Sequence, residues 1–177
     1  REWLHDWSAV QGKVAITAYI AWALAEAGEH GAPLGRALSF LGRHRSEAAQ
    51  DPYVLALWAA AEARAGKRPS ALPALLRTSH QEPEGLRFAA KAQTLFYASG
   101  SSADAQVSAL AASALHKSGR AAEAKATLDW LWSARDPRFG WGTTQSTVLA
   151  LRAAAQVRPE PPVFEGTVKV AVDGRLA

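Results

Sequence analysis

PRFGWGTTQSTVLALRAAA, from Pro137 to Ala155, is the stretch whose reading decides the fold. A turn holding Gly140, Trp141 and Gly142 runs into Thr143 and Thr144, then into a helix pattern with almost no charge. Arg152 is the only charged residue between Gly140 and Ala155. A helix that is apolar nearly all round is expected to be packed on every side. Segments of the same kind stand at Val14–Ala27, Tyr53–Ala65 and Ala105–Lys117.

Each of these segments carries its own punctuation. VAITAYIAWALAEA is uncharged until Glu26, and Gly28 follows in the position of a left-handed C-terminal cap. Asp51-Pro52 supplies an N-cap and a Pro at the first helical position ahead of YVLALWAAAEARA, which Gly66 ends. AQVSALAASALHK is read as capped by Asp104 and stopped at Gly119. Residues 1–13, REWLHDWSAVQGK, show no clear period and are expected to form a loop or strand-like lead-in.

Between the apolar segments lie amphipathic ones. Pro33 suits the first turn of a helix whose Leu34, Leu38 and Leu41 share one face, leaving Arg36, Arg43 and His44 to water. Ser70–Thr78 predicts a shorter helix with Leu72, Leu75 and Leu76 inward; Pro73 is tolerated there because it falls in the first turn. Ala121–Ser133 presents Ala121, Ala124, Leu128 and Leu131 inward. The chain thus alternates a buried helix with a covering helix. Gly28 and Gly66 are 38 residues apart, enough for one helical hairpin, whereas Gly66 and Gly119 are 53 apart. The surplus belongs to Ser79–Ala103, where a two-stranded excursion is expected and Gly100-Ser101-Ser102 is read as a break.

The pattern changes after Val157. Residues 158–163 begin RPEPP, which cannot continue a helix and is read as a stiff extended linker. From 164 to 177, Val168, Val170 and Val172 alternate with Thr167, Lys169 and Ala171, and Asp173-Gly174 is a hairpin-turn signal. The expected organisation is therefore a helical unit over 1–157, a linker over 158–163, and the start of a β-domain over 164–177.

Composition narrows the function classes. The chain has 177 residues, 49% hydrophobic and 20% charged, a globular balance. Its net charge is +4, but the basic residues are scattered singly. The densest spot, Arg43-His44-Arg45, is read as a solvated helix end, and no stripe or stacking platform for nucleic acid is present. There is no Cys, so the chain itself can form no disulfide, thiolate nucleophile or Cys-ligated zinc. His5, His30, His44, His80 and His116 are spread too widely to suggest a metal site, and no cofactor motif stands out. No stretch reaches the roughly 18 to 20 apolar residues of a membrane-spanning helix. Absence of an initiator Met before Arg1-Glu2-Trp3 is read as the start of a piece of a longer polypeptide.

Repeated helical hairpins can stack into an open solenoid or curl into a ring. Solenoid repeats usually carry two comparably amphipathic helices. Here one helix of each pair is apolar all round and its partner on one side only. That asymmetry favours an α/α toroid, with an inner ring of buried helices and an outer ring covering them. Four pairs are visible, and ring closure is expected to need more.

With FGWGTTQSTVLALRA in view, the chain resembles the thioester-domain region of the alpha-2-macroglobulin and complement family, above all its bacterial members. In that family a Gly-Trp-(Gly/Ser)-(Ser/Thr)-Thr-Gln segment opens one of the last inner helices. Gly140, Trp141, Gly142, Thr143, Thr144 and Gln145 fit it. Ile16-Thr17-Ala18-Tyr19 and Tyr53-Val54-Leu55-Ala56-Leu57 look like other inner helices of the family, and a β-sandwich follows its toroid. The resemblance implies a protease trap in the periplasm, cell envelope or extracellular space. Its partners would be target proteases and the other domains of the same polypeptide. Many members also acylate their target through an internal Cys–Gln thioester. Either that Cys stands upstream of this chain or the protein belongs with the members that lack one.

Two residues invite a chemical reading. In some family members a His ahead of the Thr-Ala-Tyr helix acts on the thioester as nucleophile or base. His5, 12 residues before Thr17, lies in that region; its other reading is an ordinary loop His between Trp3 and Trp7. Gln145 has no Cys partner, and the Thr143-Thr144-Gln145-Ser146 cluster is read as capping the backbone N–H groups of a helix start. Trp22, Trp58, Trp130 and Trp132 are assigned to the core; Trp7 and Trp141, in loops, could line a mouth or pack inward. Two other function classes stay open. A toroidal glycosidase or lyase would need paired carboxylates at a mouth, for which Asp6, Asp104 and Asp136 are the loop candidates. A helical interaction scaffold would need neither.

Overall fold

The computed structural model describes residues 10–157, 171–172 and 175–176. Helix α1 spans Val10–Glu26, α2 Ala32–Arg43, α3 Arg45–Ala48, α4 Pro52–Arg64 and α5 Leu72–Leu76. An antiparallel hairpin follows, β1 (Ser79–Glu82) and β2 (Gly85–Phe88), with Ser79 opposite Phe88 and Glu82 opposite Gly85. Then come α6 (Gly100–Lys117), α7 (Ala121–Ser133) and α8 (Thr144–Gln156). Beyond them Ala171–Val172 (β3) pairs antiparallel with Arg175–Leu176 (β4). The expected linker over 158–163 and most of the expected β-domain lie outside the described residues.

Helices α1, α4, α6 and α8 are the inner set, packed side by side in that order. The most deeply enclosed is α4, buried continuously from Pro52 to Ala63. Its thirteen residues include five Ala in the run Ala56–Ala63, small enough for the flanking helices to approach closely. Asp51 caps it, its carboxylate accepting from Tyr53 N at 2.9 Å. At the other end Gly66, with φ +71°, takes the left-handed conformation a side chain disfavours. Gly28 and Gly119 end α1 and α6 in the same way.

The outer layer is uneven. Helix α2 lies on α1 through the buried Leu34, Leu38 and Leu41, each worth roughly 1.5–3 kcal/mol when fully removed from water. Helix α7 covers α6 through Ala124, Thr127, Trp130 and Leu131, while Ala121 is exposed and Leu128 half-buried. The cover over α4 is α5, of only five residues rather than the nine expected. Pro73 stands in its first turn, and the chain enters β1 at Ser79, three residues after α5 ends. The short α3 fills part of the gap, a turn that the sequence pattern did not announce.

The arc curls back on itself. Glu26 of α1 accepts from the Arg152 guanidinium of α8, 126 residues away in sequence, and also lies 3.6 Å from Arg64 of α4. The same Arg152 sits 5.6 Å from the Trp22 ring centroid. First and fourth inner helices do not meet in an open solenoid, so the architecture is the toroidal one. The lone charge of the decisive stretch is the contact that draws the two ends together.

Several sequence expectations need correction. The lead-in ends earlier than expected, because α1 is already helical at Val10. Gly100-Ser101-Ser102 does not break the chain but makes the first turn of α6, whose N-cap is Ser99. Asp104 is therefore in the second turn and caps nothing. Nor is α8 packed on every side: it buries Ser146, Leu149, Ala150 and Ala153, while Val148 and Leu151 are 45% and 51% exposed. Trp132 is also largely on the surface, on the face of α7 it shares with the half-buried Leu128, where the core ends.

Candidate functional site

The Gly-Trp turn joins the end of an outer helix to the start of an inner one, and its residues finish both. Asp136 and Gly140 exchange backbone hydrogen bonds of 2.8 and 2.9 Å, closing a tight loop. Inside it the Asp136 carboxylate accepts from Arg138 N at 2.7 Å and Phe139 N at 2.8 Å. The buried Trp141 donates its indole N–H to Leu131 O at 2.6 Å. That carbonyl is in the last turn of α7, where intrahelical donors have run out. Thr143 then caps α8, its hydroxyl accepting from Ser146 N at 3.1 Å.

Gly142 has φ +88°, and a Cβ there would stand 2.0 Å from Ser102 Oγ of α6. The left-handed φ is what calls for glycine, and a larger residue would also force the Ser102 hydroxyl to rotate away. Behind it the Ser146 hydroxyl bonds Ser102 O at 2.9 Å and Gln106 Nε2 at 3.1 Å. Gln106 is wholly buried, and its Oε1 has no partner among the described residues. Thr144 is exposed and Gln145 half-buried in the first turn of α8; the cap comes from Thr143 and not from Gln145. His5 lies outside the described residues.

An aromatic cluster gathers against α1. Tyr19 packs 5.0 Å from Phe96 and 5.5 Å from Trp22, measured between ring centroids. Phe96 and Tyr97 ride on a turn in which Tyr97 has φ +59°, a left-handed conformation for a bulky residue. Burial pushes the Tyr53 phenol well above its usual range, with Tyr19 and Asp51 adding to it. Burial also raises the Asp51 carboxyl, against the opposing pull of the Tyr53 and Val54 N–H groups and of Lys91. Nothing in the spacing of the sequence marked Phe96 and Tyr97, which come from the excursion rather than from a helix.

The loop acids named from sequence are already engaged. Asp104 accepts from Arg87 Nη1 at 2.9 Å and from Ala90 N at 2.7 Å. Arg87 also reaches Glu82 at 2.6 Å, and Glu82 accepts from the Trp130 indole at 2.9 Å. This network straps the β1–β2 hairpin to α6 and α7. Asp136 is held within its own turn, and Asp6 lies outside the described residues. No three His, Asp or Glu side chains gather in a metal-binding group among the described residues.

Inner helices running parallel inside covering helices, with the two ends of the arc in contact, define an α/α toroid whose Gly-Trp turn sits at the rim. The sequence profile of the A-macroglobulin TED domain matches residues 6–156. The chain belongs to that family, the thioester-domain region of the alpha-2-macroglobulin and complement proteins. No curated protein matches the chain. No helix among the described residues is long and apolar enough to cross a membrane.

Proposed function

We propose that this chain is the toroid of a macroglobulin-like, broad-spectrum protease inhibitor that encloses proteases after they cleave a bait segment. The observation that carries the reading is the family match over residues 6–156, across the whole inner-helix array. The protein acts as a trap and not as a turnover enzyme, at the cell envelope or outside the cell. Its partners are the attacked proteases and the other domains of its own polypeptide.

A chain without Cys forms no Cys–Gln thioester within itself. Covalent capture, where the parent performs it, requires a Cys contributed from outside these residues, and His5 is then the residue to act on the acyl group. The turn from Gly140 to Gln145 serves as a splice between α7 and α8. The glycosidase or lyase reading gains no support, since Asp104 and Asp136 are committed to structural bonds.

The test uses the full-length parent incubated with several unrelated proteases. Digestion of a large protein substrate should fall while cleavage of a small peptide substrate persists, because an enclosed protease remains active toward what can diffuse in. Undiminished digestion of the large substrate with every protease would sink the trap reading. Where the parent forms covalent conjugates, His5→Ala should slow them without altering enclosure.

A further inference from the structure

We propose that the gap left in the outer layer over α4 is a binding site for an amphipathic carboxylate, such as a medium-chain alkyl acid. The five-residue α5 is too short to cover a thirteen-residue helix, and between α3, α4 and α5 a cavity of about 480 Å³ remains. That volume lies within the range of small-molecule sites. Its lining is mostly apolar, with Ala49, Pro73 and Ala74 toward solvent and Leu55, Trp58 and Ala71 beneath them.

The lining carries two positive charges, Arg45 from α3 and Arg77 just beyond α5, and no Asp or Glu. Neither guanidinium has an ion-pair partner among the described residues. Arg45 stands 5.7 Å from the Trp58 ring centroid, so its charge is held over the floor and not merely near it. Glu62, one turn beyond Trp58 on α4, is occupied in accepting from Ser70 N at 2.6 Å and Ser70 Oγ at 2.8 Å. The Trp58 indole N–H is itself buried without an acceptor among the described residues. An alkyl chain on the floor with a carboxylate between the two arginines satisfies the charge and fills the void. A neutral chain would fill the void alone, and a cation would meet like charge.

Isothermal titration of the full-length protein with decanoate, 1-decanol and decyltrimethylammonium tests the site. Decanoate should bind saturably, and the alcohol about tenfold or more weakly, since a charge-assisted hydrogen bond is worth at least one decade in affinity. Decyltrimethylammonium should not bind at this site. Arg45→Ala with Arg77→Ala should weaken decanoate about tenfold and leave decanol unchanged. Ala49→Phe, at an exposed lining position, should block both, with thermal melts confirming that each variant is folded. Absence of saturable decanoate binding overturns the proposal. So does equal affinity for acid and alcohol, or undiminished binding to folded variants.

Discussion

Replacing Trp141 by Phe isolates the bond that ties the Gly-Trp turn to the outer helix. The substitution keeps a ring in the buried site but removes the donor to Leu131 O, now at 2.6 Å. A buried carbonyl left bare costs about 1–3 kcal/mol. The smaller ring also vacates roughly 40 Å³, worth about 1 kcal/mol at ~24 cal/mol per Å³ of cavity. Together they predict a loss of about 2–4 kcal/mol, which for a chain of this size lowers Tm by roughly 4–16 °C. Trp132 supplies the control: it packs 5.4 Å from Trp141 but is 47% exposed, with no indole hydrogen bond among the described residues. Trp132→Phe should cost under about 1 kcal/mol. Urea denaturation followed by far-UV circular dichroism reads both. Equal losses in the two variants, or a loss below about 0.5 kcal/mol for Trp141→Phe, would refute the capping role.

Three further outcomes follow from the geometry. Gly85→Ala should destabilise by about 3 kcal/mol or more, because its Cβ would lie 2.1 Å from Ala126 O and 2.9 Å from Trp130 N, backbone atoms that no rotamer can clear; a melt within about 1 kcal/mol of wild type would contradict this. For Asp51 the folded carboxyl is raised by burial, so the native state binds more protons and stability falls as pH rises from the ordinary aspartate range through the raised folded one. Asp51→Asn keeps a capping side chain and should remove that slope; Asp51→Ala should remove it too and lie about 1 kcal/mol below Asp51→Asn at all pH values. A double-mutant cycle of Glu26→Gln and Arg152→Ala should give a coupling of about 0.5–1 kcal/mol, modest because Arg152 is 42% exposed. Zero coupling would mean that the contact between α1 and α8 contributes nothing to closing the arc.

Much of the architecture was legible because the inner helices leave a signal that covering helices do not. A helix such as Tyr53–Ala65, apolar on all faces and bracketed by Asp51-Pro52 and Gly66, has few other ways to be stable. The surplus spacing announced a two-stranded excursion within Ser79–Ala103, and the β1–β2 hairpin occupies its first ten residues. The rest depended on partners distant in sequence. Asp104 had the chemistry of a cap, but Arg87 and Ala90 N claimed it from the excursion. Val148 and Leu151 match the pattern of buried residues, yet no element among the described residues covers them. Of the candidate site, the Gly-Trp-Thr-Thr turn was recognisable as a motif. The left-handed backbone at Gly142 became visible only in the folded turn, and Phe96 and Tyr97 gave no pattern to follow.

The parallel alignment of the inner helices has an electrostatic consequence. Each helix carries a macrodipole equivalent to about half a positive charge at its N-terminus and half a negative charge at its C-terminus. Because α1, α4 and α8 bring their C-terminal halves together around Glu26, the negative ends converge where an acidic side chain already stands. Arg64 and Arg152 are the counter-charges that make this arrangement tolerable. The opposite rim, where Asp51, Ser99 and Thr143 begin α4, α6 and α8, gathers the positive ends. That rim favours negative charge through its backbone dipoles, which add to the positive charge that Lys91 already brings to Asp51.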